Sequence, residues 1–295
     1  MKDHAEDYKI YLEKELNYSS ETVKNYLSDI EQFNSFLNKY QKNFKNIDKD
    51  LIRNYLKFLN EKKLESKSIS RKLSSLRNFY DFLKDICVIK ENVFKNISNP
   101  KIAKKLPNYL NTIEIEDMLK SIKLVDFFSV RNYLIIELIY SSGVRLSELI
   151  NIKLKDINIS DKQIKILGKG NKERMVCIGA CATDAINLYV DKYRSLNNCK
   201  KSEFLFISKN GSQLSKSMVD KIIKTVAKKS GIKKNISAHI IRHSFATDLL
   251  NEGASIETVK ELLGHESLST TQIYTHVSNE KLRDTYLKTH PRNIK

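Results

Sequence analysis

The sequence predicts a mainly α-helical protein of two domains, with one small antiparallel β-meander inside the second domain. Apolar residues recur at helical spacing over most of the 295 residues, a length that exceeds one typical domain. Two of the three prolines, Pro100 and Pro107, bracket a lysine-rich segment without apolar periodicity. One block near the middle of the chain alternates apolar and polar residues with turn material between the runs.

The first domain, residues 1–90, is predicted to be a small helical domain. Ser19 and Ser20 can cap a helix with apolar residues from Val23 to Leu37, and Ser68 can cap another helix that ends near Leu83. A linker over residues 91–107 follows. The stretch between Leu51 and Arg77 contains eight Lys or Arg against two Glu, which suits a phosphate backbone and equally suits a solvated helix face. The basic residues in this stretch that we single out as candidate DNA backbone contacts are Arg71, Lys72 and Arg77.

The second domain, residues 108–295, alternates helical patterns with the β-like block. Helices are predicted over Ser129–Tyr140, Thr183–Tyr193 and Ser215–Lys228, and another begins near Ser237. The three short strands of the meander contain the pairs Ile157/Ile159, Ile164/Ile166 and Val176/Ile178. The last strand follows a turn that begins with Gly168-Lys169-Gly170.

Composition excludes several classes of protein. A net charge of +17 favours a polyanionic partner such as nucleic acid or an anionic membrane surface. The charged start of the chain lacks the apolar core of a signal peptide, so secretion is not expected. The richest apolar stretch, 133–140, is short and contains Glu137, so a membrane-spanning protein is not expected either. The four cysteines form neither a CxxC pair nor a zinc-like cluster, so a reduced cytoplasmic compartment and no metal site are expected.

Three stretches stand out as carriers of chemistry. They are Ser141-Ser-Gly-Val-Arg145-Leu-Ser-Glu148, Gly168-Lys169-Gly170-Asn-Lys172-Glu-Arg174, and the run from His239-Ile-Ile-Arg242 through Gly264-His265 to Tyr274. Together they resemble the catalytic motifs of tyrosine recombinases, the phage integrase family, and are most similar to those of the Xer-type chromosome-resolution recombinases. The resemblance covers nearly the whole chain, and it implies a DNA-clasping, SAM-like first domain and a catalytic second domain with a carboxy-terminal tail helix.

The resemblance implies a role for each of six residues. Arg145 and Arg242 grip the scissile phosphate, a task suited to a planar group with five donors that stays charged. His239 moves a proton of the nucleophile, and His265 donates a hydrogen bond to the phosphate. Tyr274 is the nucleophile that forms a 3′-phosphotyrosyl intermediate, and Lys169 protonates the departing 5′ oxygen.

The residues themselves support part of this assignment. His239 and Arg242 are three apart, so on a helix that begins near Ser237 they share a face close to its positive end. Glu148, one turn after Arg145, either orients that arginine or is a solvated surface residue. Lys172 and Arg174 are interpreted as phosphate-contacting neighbours of Lys169, and Lys172 remains an alternative to Lys169 as the acid.

The implied function is site-specific recombination of double-stranded DNA through a Holliday junction, without ATP, metal or other cofactor, in the cytoplasm at the nucleoid. The family works as a tetramer, here either of one protein or of two related ones, and the Xer resemblance adds chromosome dimer resolution and a septal DNA translocase as activator. The alternatives are a mobile-element integrase, a non-catalytic DNA-binding relative and a single-subunit topoisomerase. The absence of an arm-binding domain before the first helical domain favours the Xer-type reading over the integrase. The tail from Asn279 to Lys288 docks either on a neighbouring subunit or on its own subunit.

Overall fold

The structure is a computed structural model that describes residues 2–101, 109–168, 173–195, 202–264 and 285–292, with side chains from His4 onward. Four of the residues predicted to carry chemistry, Lys169, Lys172, His265 and Tyr274, lie outside these ranges. The chain divides into two compact units, Met1–Leu106 and Pro107–Lys295. Each unit has its own hydrophobic core.

The first unit is helical throughout its regular structure. Helix α1 (Lys2–Ile10) continues as one π-helical stretch (Tyr11–Glu15), and α2 (Ser20–Lys39), α3 (Lys49–Glu61) and α4 (Ser66–Asp85) follow. Ser19 caps α2 as predicted, because its side chain accepts a hydrogen bond from the backbone of Thr22. The core is rich in aromatic rings: Phe33 meets both Tyr55 and Phe94 edge to face, at centroid distances of 4.7 and 5.4 Å.

Two predictions for this unit were wrong in detail. Ser68 does not cap α4: the helix begins earlier, at Ser66 after Glu65, and the Ser68 backbone N–H already donates to the Glu65 carbonyl. Part of the segment assigned to the linker is packed structure, because Phe94 is fully buried in the first core. Burial of a whole phenyl ring contributes about 2 kcal/mol to holding that segment on the helices.

The second unit is built around one buried helix. Its helices are α5 (Thr112–Lys120), α6 (Phe127–Ser142), α7 (Leu146–Ile150), α8 (Ala180–Asn187), α9 (Lys216–Lys229), α10 (Ala238–Asn251) and α11 (Ile256–Leu263), with a 3₁₀ turn at Leu154–Asp156 and a π-helical stretch at Leu188–Arg194. Helix α6 is apolar on nearly all sides, as a central helix must be, and it contacts α5, α8, α9 and α10. The described helices include none that is long and apolar enough to cross a lipid bilayer.

The predicted meander is present as a three-stranded antiparallel sheet in the order β1 (Ile157–Asn158), β2 (Gln163–Leu167) and β3 (Glu173–Cys177). Ile164 pairs with Val176 and Ile166 pairs with Arg174, so these four side chains share one face. That face is directed to the core, where Ile164, Ile166 and Val176 are buried. Arg174 is therefore an arginine on the core-facing side of a sheet.

The last described segment, 285–292, packs on the second unit of the same chain. Tyr286 and His290 are fully buried, and the His290 Nε2 atom lies 3.1 Å from the carbonyl oxygen of Tyr140 on α6. Arg292 forms an ion pair of 2.8 Å with the buried carboxylate of Glu137. Residues 285–292 thus pack on their own chain, and the part of the predicted tail before residue 285 lies outside the described ranges.

Candidate active site

Arg145 is held at the start of a helix by the glutamate one turn later. Helix α6 ends at Gly143 in the left-handed conformation, and the chain turns so that Arg145 precedes α7. Glu148 accepts hydrogen bonds from the Arg145 backbone N–H at 2.8 Å and from its Nη1 at 2.9 Å. The Arg145 Nη2 atom donates to the Gly264 carbonyl at 3.0 Å, which ties it to the end of α11. Glu148 is buried rather than solvated.

Three arginines surround the Glu148 carboxylate. Arg174 donates to both carboxylate oxygens, from Nη1 and Nη2, each at 2.8 Å. The Arg242 Nη1 atom lies 4.0 Å from Glu148 Oε2. One negative charge among three positive ones leaves a surplus of two, concentrated in a partly buried site where charges are weakly screened.

This arrangement shifts the pKa values of the cluster. Burial opposes ionisation of Glu148, but hydrogen bonds from Arg174 and Arg145 outweigh it and lower the pKa to about 2. Burial, together with the charge of Arg145, lowers the pKa of Arg242 to about 10. Both groups remain charged at neutral pH, so the surplus positive charge persists there.

Arg242 is fixed by backbone carbonyls at two helix ends. Its Nη1 atom donates to the carbonyl of Gly143, and its Nη2 atom donates to the carbonyl of Leu263 at 2.7 Å. A Cβ atom at Gly143 would lie 2.6 Å from the ring of Phe245, and the residue has φ +61°, so glycine is required for this approach. Carbonyls at helix C-termini are good partners for a guanidinium because they carry the negative end of the helix dipole.

A cleft of about 390 Å³ brings Arg145, His239 and Arg242 together. Ser237 precedes α10 without a side-chain cap, so the first backbone N–H groups of α10 are available to an anion. His239 is exposed and lies one turn before the buried Arg242 on the same helix. Two side chains at the start of α9, Lys216 and Asp220, also line the cleft.

The cleft has the composition of an oxyanion site for a phosphate group. Arginines supply charge and paired donors, and the start of α10 supplies backbone donors. The imidazole of His239 at the rim provides a group that can accept or donate a proton. Of the six residues predicted to be catalytic, the structure brings Arg145, His239 and Arg242 together. The other three lie outside the described residues.

The candidate DNA contacts among the described residues all have partners within the chain. Arg71 and Lys72 form ion pairs with the buried carboxylate of Asp29, the lysine at 2.8 Å. Arg77 donates to the carbonyls of Phe94 and Ile97 at 3.2 and 3.0 Å. Arg174 is bound to Glu148, as described above. Of the two cations bound to Asp29, Arg71 has the more exposed side chain, at 45% against 12% for Lys72.

Sequence reasoning missed the link between Arg174 and Glu148 and the place of Lys216 and Asp220 in the cleft. Arg174 and Glu148 are 26 residues apart, and no local pattern relates them. A signal for the α9 residues did exist, because Ser215 caps α9 and places positions 216 and 220 on one face of its first turns.

Two family descriptions match the chain. Residues 108–281 match the phage integrase family, and residues 5–85 match the phage integrase N-terminal SAM-like domain. Tyrosine recombinase XerC of Staphylococcus haemolyticus (strain JCSC1435) is 40% identical over 283 residues, which are 95% of this chain and 94% of that protein. Tyrosine recombinase XerC of Staphylococcus carnosus (strain TM300) is 38% identical over 289 residues, 97% of each chain.

Solved structures show the same fold. XerH site-specific recombinase in a post-cleavage complex with a palindromic difH substrate has a TM-score of 0.72 and 27% identity, covering 90% of this chain and 79% of that one. A lambda integrase dimer bound to a COC′ core site has a TM-score of 0.70 at 18% identity, covering 94% and 99% of the two chains, a likeness in fold.

Proposed function

The chain belongs to the phage integrase family and is a Xer-type site-specific tyrosine recombinase, and on that premise we propose how its residues carry out the reaction. The observation that carries the proposal is the surplus of positive charge around Glu148, which borders a cleft containing Arg145, Arg242 and His239. A DNA phosphodiester is the anion that enters this cleft.

The reaction is an in-line transesterification at one phosphorus atom. The phenol oxygen of Tyr274 forms a bond to phosphorus while the bond from phosphorus to the 5′ oxygen breaks. His239 accepts the phenol proton, and Lys169 gives a proton to the departing 5′ oxygen. The products are a 3′-phosphotyrosyl enzyme and a free 5′ hydroxyl.

Positive charge lowers the barrier in two ways. Arg145, Arg242 and His265 bind the non-bridging oxygens, whose negative charge grows in the transition state. The same charge favours the phenolate of Tyr274, whose ordinary pKa of about 10 makes it a poor nucleophile at neutral pH. One phosphodiester replaces another, so a 5′ hydroxyl from a second strand reverses the step onto a new neighbour without ATP.

The relatives support a proposal for the assembly and the cellular role. XerC proteins align with nearly the whole chain at about 40% identity, which favours the chromosomal role over a mobile-element integrase. We therefore propose resolution of chromosome dimers in the cytoplasm, at the nucleoid. Four active sites are needed for two strand exchanges, so the active form is a homotetramer or a heterotetramer with a related recombinase, activated by a septal DNA translocase. A solved lambda integrase tetramer is bound to a Holliday junction.

Contacts outside the cleft complete the proposal. Arg71 and Arg77 in the first unit, with Lys72 beside them, lie near the DNA backbone, and Lys172 contacts phosphate next to the scissile one. Arg71 is the strongest of these candidates because almost half of its side chain is exposed.

The test is formation of a covalent protein–DNA adduct. A duplex that the protein selects from a random-sequence library is prepared with a nick beside each potential cleavage position, which traps the intermediate, and the products are separated under denaturing conditions. Wild-type protein is expected to give a protease-sensitive adduct with free 5′ hydroxyl ends, and Tyr274→Phe is expected to give none. Tyr109→Phe is the matched control, since Tyr109 is an exposed tyrosine of the same unit, and it should match wild type. Tight binding without any wild-type adduct on the nicked duplexes would contradict the proposal.

A further inference from the structure

Arg174 occupies an unusual place for an arginine. It lies on β3 directly opposite Ile166, on the core-facing side of the sheet, and only 18% of its side chain is exposed. Arginine is rarely buried without a carboxylate partner, because removing its charge from water is costly. Its partner is Glu148, which it binds through two parallel hydrogen bonds of 2.8 Å.

The donors of Arg174 are directed at the protein and not at a ligand. Both Nη atoms are bound to Glu148, and the Nε atom is buried without a hydrogen-bond partner among the described residues. A backbone phosphate of DNA would have to displace the Glu148 carboxylate to reach this group. The geometry is that of an internal brace, in contrast to the exposed guanidinium of Arg71.

Arg174 touches both groups that hold Arg145. One is Glu148, which binds the Arg145 backbone and guanidinium. The other is Gly264, whose carbonyl accepts from Arg145 Nη2 at 3.0 Å. A Cβ atom at Gly264 would lie 2.9 Å from Arg174 Nε and 3.0 Å from its Cδ, so the arginine packs against this glycine. The planar Arg174 side chain therefore fills the space between the end of α11 and the start of α7.

We propose that Arg174 is a positioning residue that holds Glu148 and Gly264 in place, and through them sets Arg145 for the scissile phosphate. The inference rests on the proposed function of Arg145. It assigns Arg174 a role different from the phosphate contact expected from the sequence. It also connects β3 to the phosphate site, because a movement of the strand would displace Arg174 and, through Glu148, Arg145.

Separate measurements of DNA binding and cleavage test this role. Arg174→Gln is expected to slow single-turnover adduct formation about 100-fold at saturating protein, because a displacement of about 1 Å in a catalytic group has an effect of that size. The slope of log binding constant against log salt concentration is expected to stay as in wild type, whereas loss of a phosphate contact would reduce it by about one. Arg174→Lys, which cannot form the paired hydrogen bonds, should have an intermediate rate.

The matched control is Lys165→Gln. Lys165 lies on the neighbouring strand β2, is 44% exposed and pairs with the exposed Glu173, so its substitution removes one positive charge from the sheet without removing a contact of Arg174. Its rate of adduct formation should remain close to that of wild type.

A double-mutant cycle with Glu148 separates positioning from general destabilisation. In a Glu148→Gln background, Arg174→Gln is expected to have a much smaller effect on the rate than in wild type, because most of its effect passes through the contact with Glu148. Multiplication of the two rate losses would overturn the proposal, as would a wild-type rate in Arg174→Gln or a salt slope lowered by one. If wild-type protein itself forms no adduct, the failure lies in the proposed function and not in the role of Arg174.

Discussion

Each unit of the molecule contains a buried carboxylate that is bound by more than one cation, and the two clusters are used differently. In the first unit Asp29 on α2 accepts from Arg71, Lys72 and the hydroxyl of Ser75, all on α4. In the second unit Glu148 binds Arg145 and Arg174 and lies 4.0 Å from Arg242. The first cluster joins two helices, whereas the second joins a helix start, a strand and two helix ends.

The comparison shows that basic residues that cannot be told apart in the sequence have different roles in the structure. In the Asp29 cluster the cations outnumber the carboxylate by one, and one of them, Lys72, is nearly buried. In the Glu148 cluster the cations outnumber the carboxylate by two, and the cluster borders a cleft. We infer that the first cluster mainly stabilises the fold and that the second supplies surplus positive charge that binds an anion.

Removal of each carboxylate should give the largest effects and separate the two roles. Glu148→Ala and Asp29→Ala each leave cations without their partner, so each is expected to lower the free energy of unfolding by about 3 to 5 kcal/mol. Only Glu148→Ala should also reduce adduct formation about 100-fold in protein that is still folded at low temperature. Urea unfolding measures the effect on stability, and the single-turnover assay measures the effect on adduct formation. Equal rate losses in both variants would contradict the assignment of different roles to the two clusters.

Acid should weaken the Glu148 cluster within a defined pH range. The pKa of Glu148 falls from an ordinary 4.5 to about 2 on folding. A lowered carboxylate pKa stabilises the folded state above pH 4.5, by about 3 kcal/mol, and this contribution disappears as the pH falls from 4.5 to 2. Unfolding free energies of wild type and Glu148→Gln, measured between pH 6 and pH 2, should therefore converge on acidification. A constant difference over this range would contradict the assignment.

Gly143 provides a smaller and more local test of the second cluster. Gly143→Ala places a methyl group 2.6 Å from the Phe245 ring at a residue with φ +61°, and it displaces the carbonyl that binds Arg242. Gly253→Ala, at φ +90° with open space around it, carries the backbone cost alone. Thermal and urea unfolding should show Gly143→Ala less stable than Gly253→Ala by about 2 kcal/mol, the usual cost of overpacking. Equal stabilities would mean that the loop moves to accept the methyl group.

The smallest expected effects concern the first cluster and DNA. Arg71→Gln should reduce the salt slope of DNA binding by about one, because its exposed guanidinium is the candidate phosphate contact. Lys72→Gln should leave the slope unchanged, since its ammonium is 12% exposed and bound to Asp29. Binding titrations over a range of salt concentrations provide both values, and a reduced slope in Lys72→Gln would show that this lysine also contacts DNA.

Local parts of the structure were predictable because local physics determines them. The cap of α2 follows from Ser19, and the meander follows from alternation of apolar residues. The contact between Arg145 and Glu148 follows from a spacing of three residues. The Ser68 cap failed because the helix already begins at Ser66 after Glu65, so that Ser68 lies inside the first turn and its N–H donates to the Glu65 carbonyl.

The tertiary role of the arginines was not predictable from the sequence. Arg174 meets Glu148 across 26 residues, and Arg77 meets its carbonyl acceptors 17 and 20 residues later. Such contacts depend on how the sheet and helices pack, which no spacing rule encodes. The family resemblance singled out Arg145, His239 and Arg242, but it gave no indication that Arg174 binds Glu148, the partner of Arg145.

The most direct test of the central claim is to remove the charge of the scissile phosphate. A methylphosphonate at the cleavage position replaces one charged oxygen with a methyl group, and adduct formation by wild type and Arg145→Ala is compared on both substrates. If Arg145 acts by stabilising charge on that oxygen, the variant should be far slower than wild type on the phosphate and nearly equal to it on the methylphosphonate. An equally large deficit on both substrates would contradict the assignment of this cleft as a phosphate clamp.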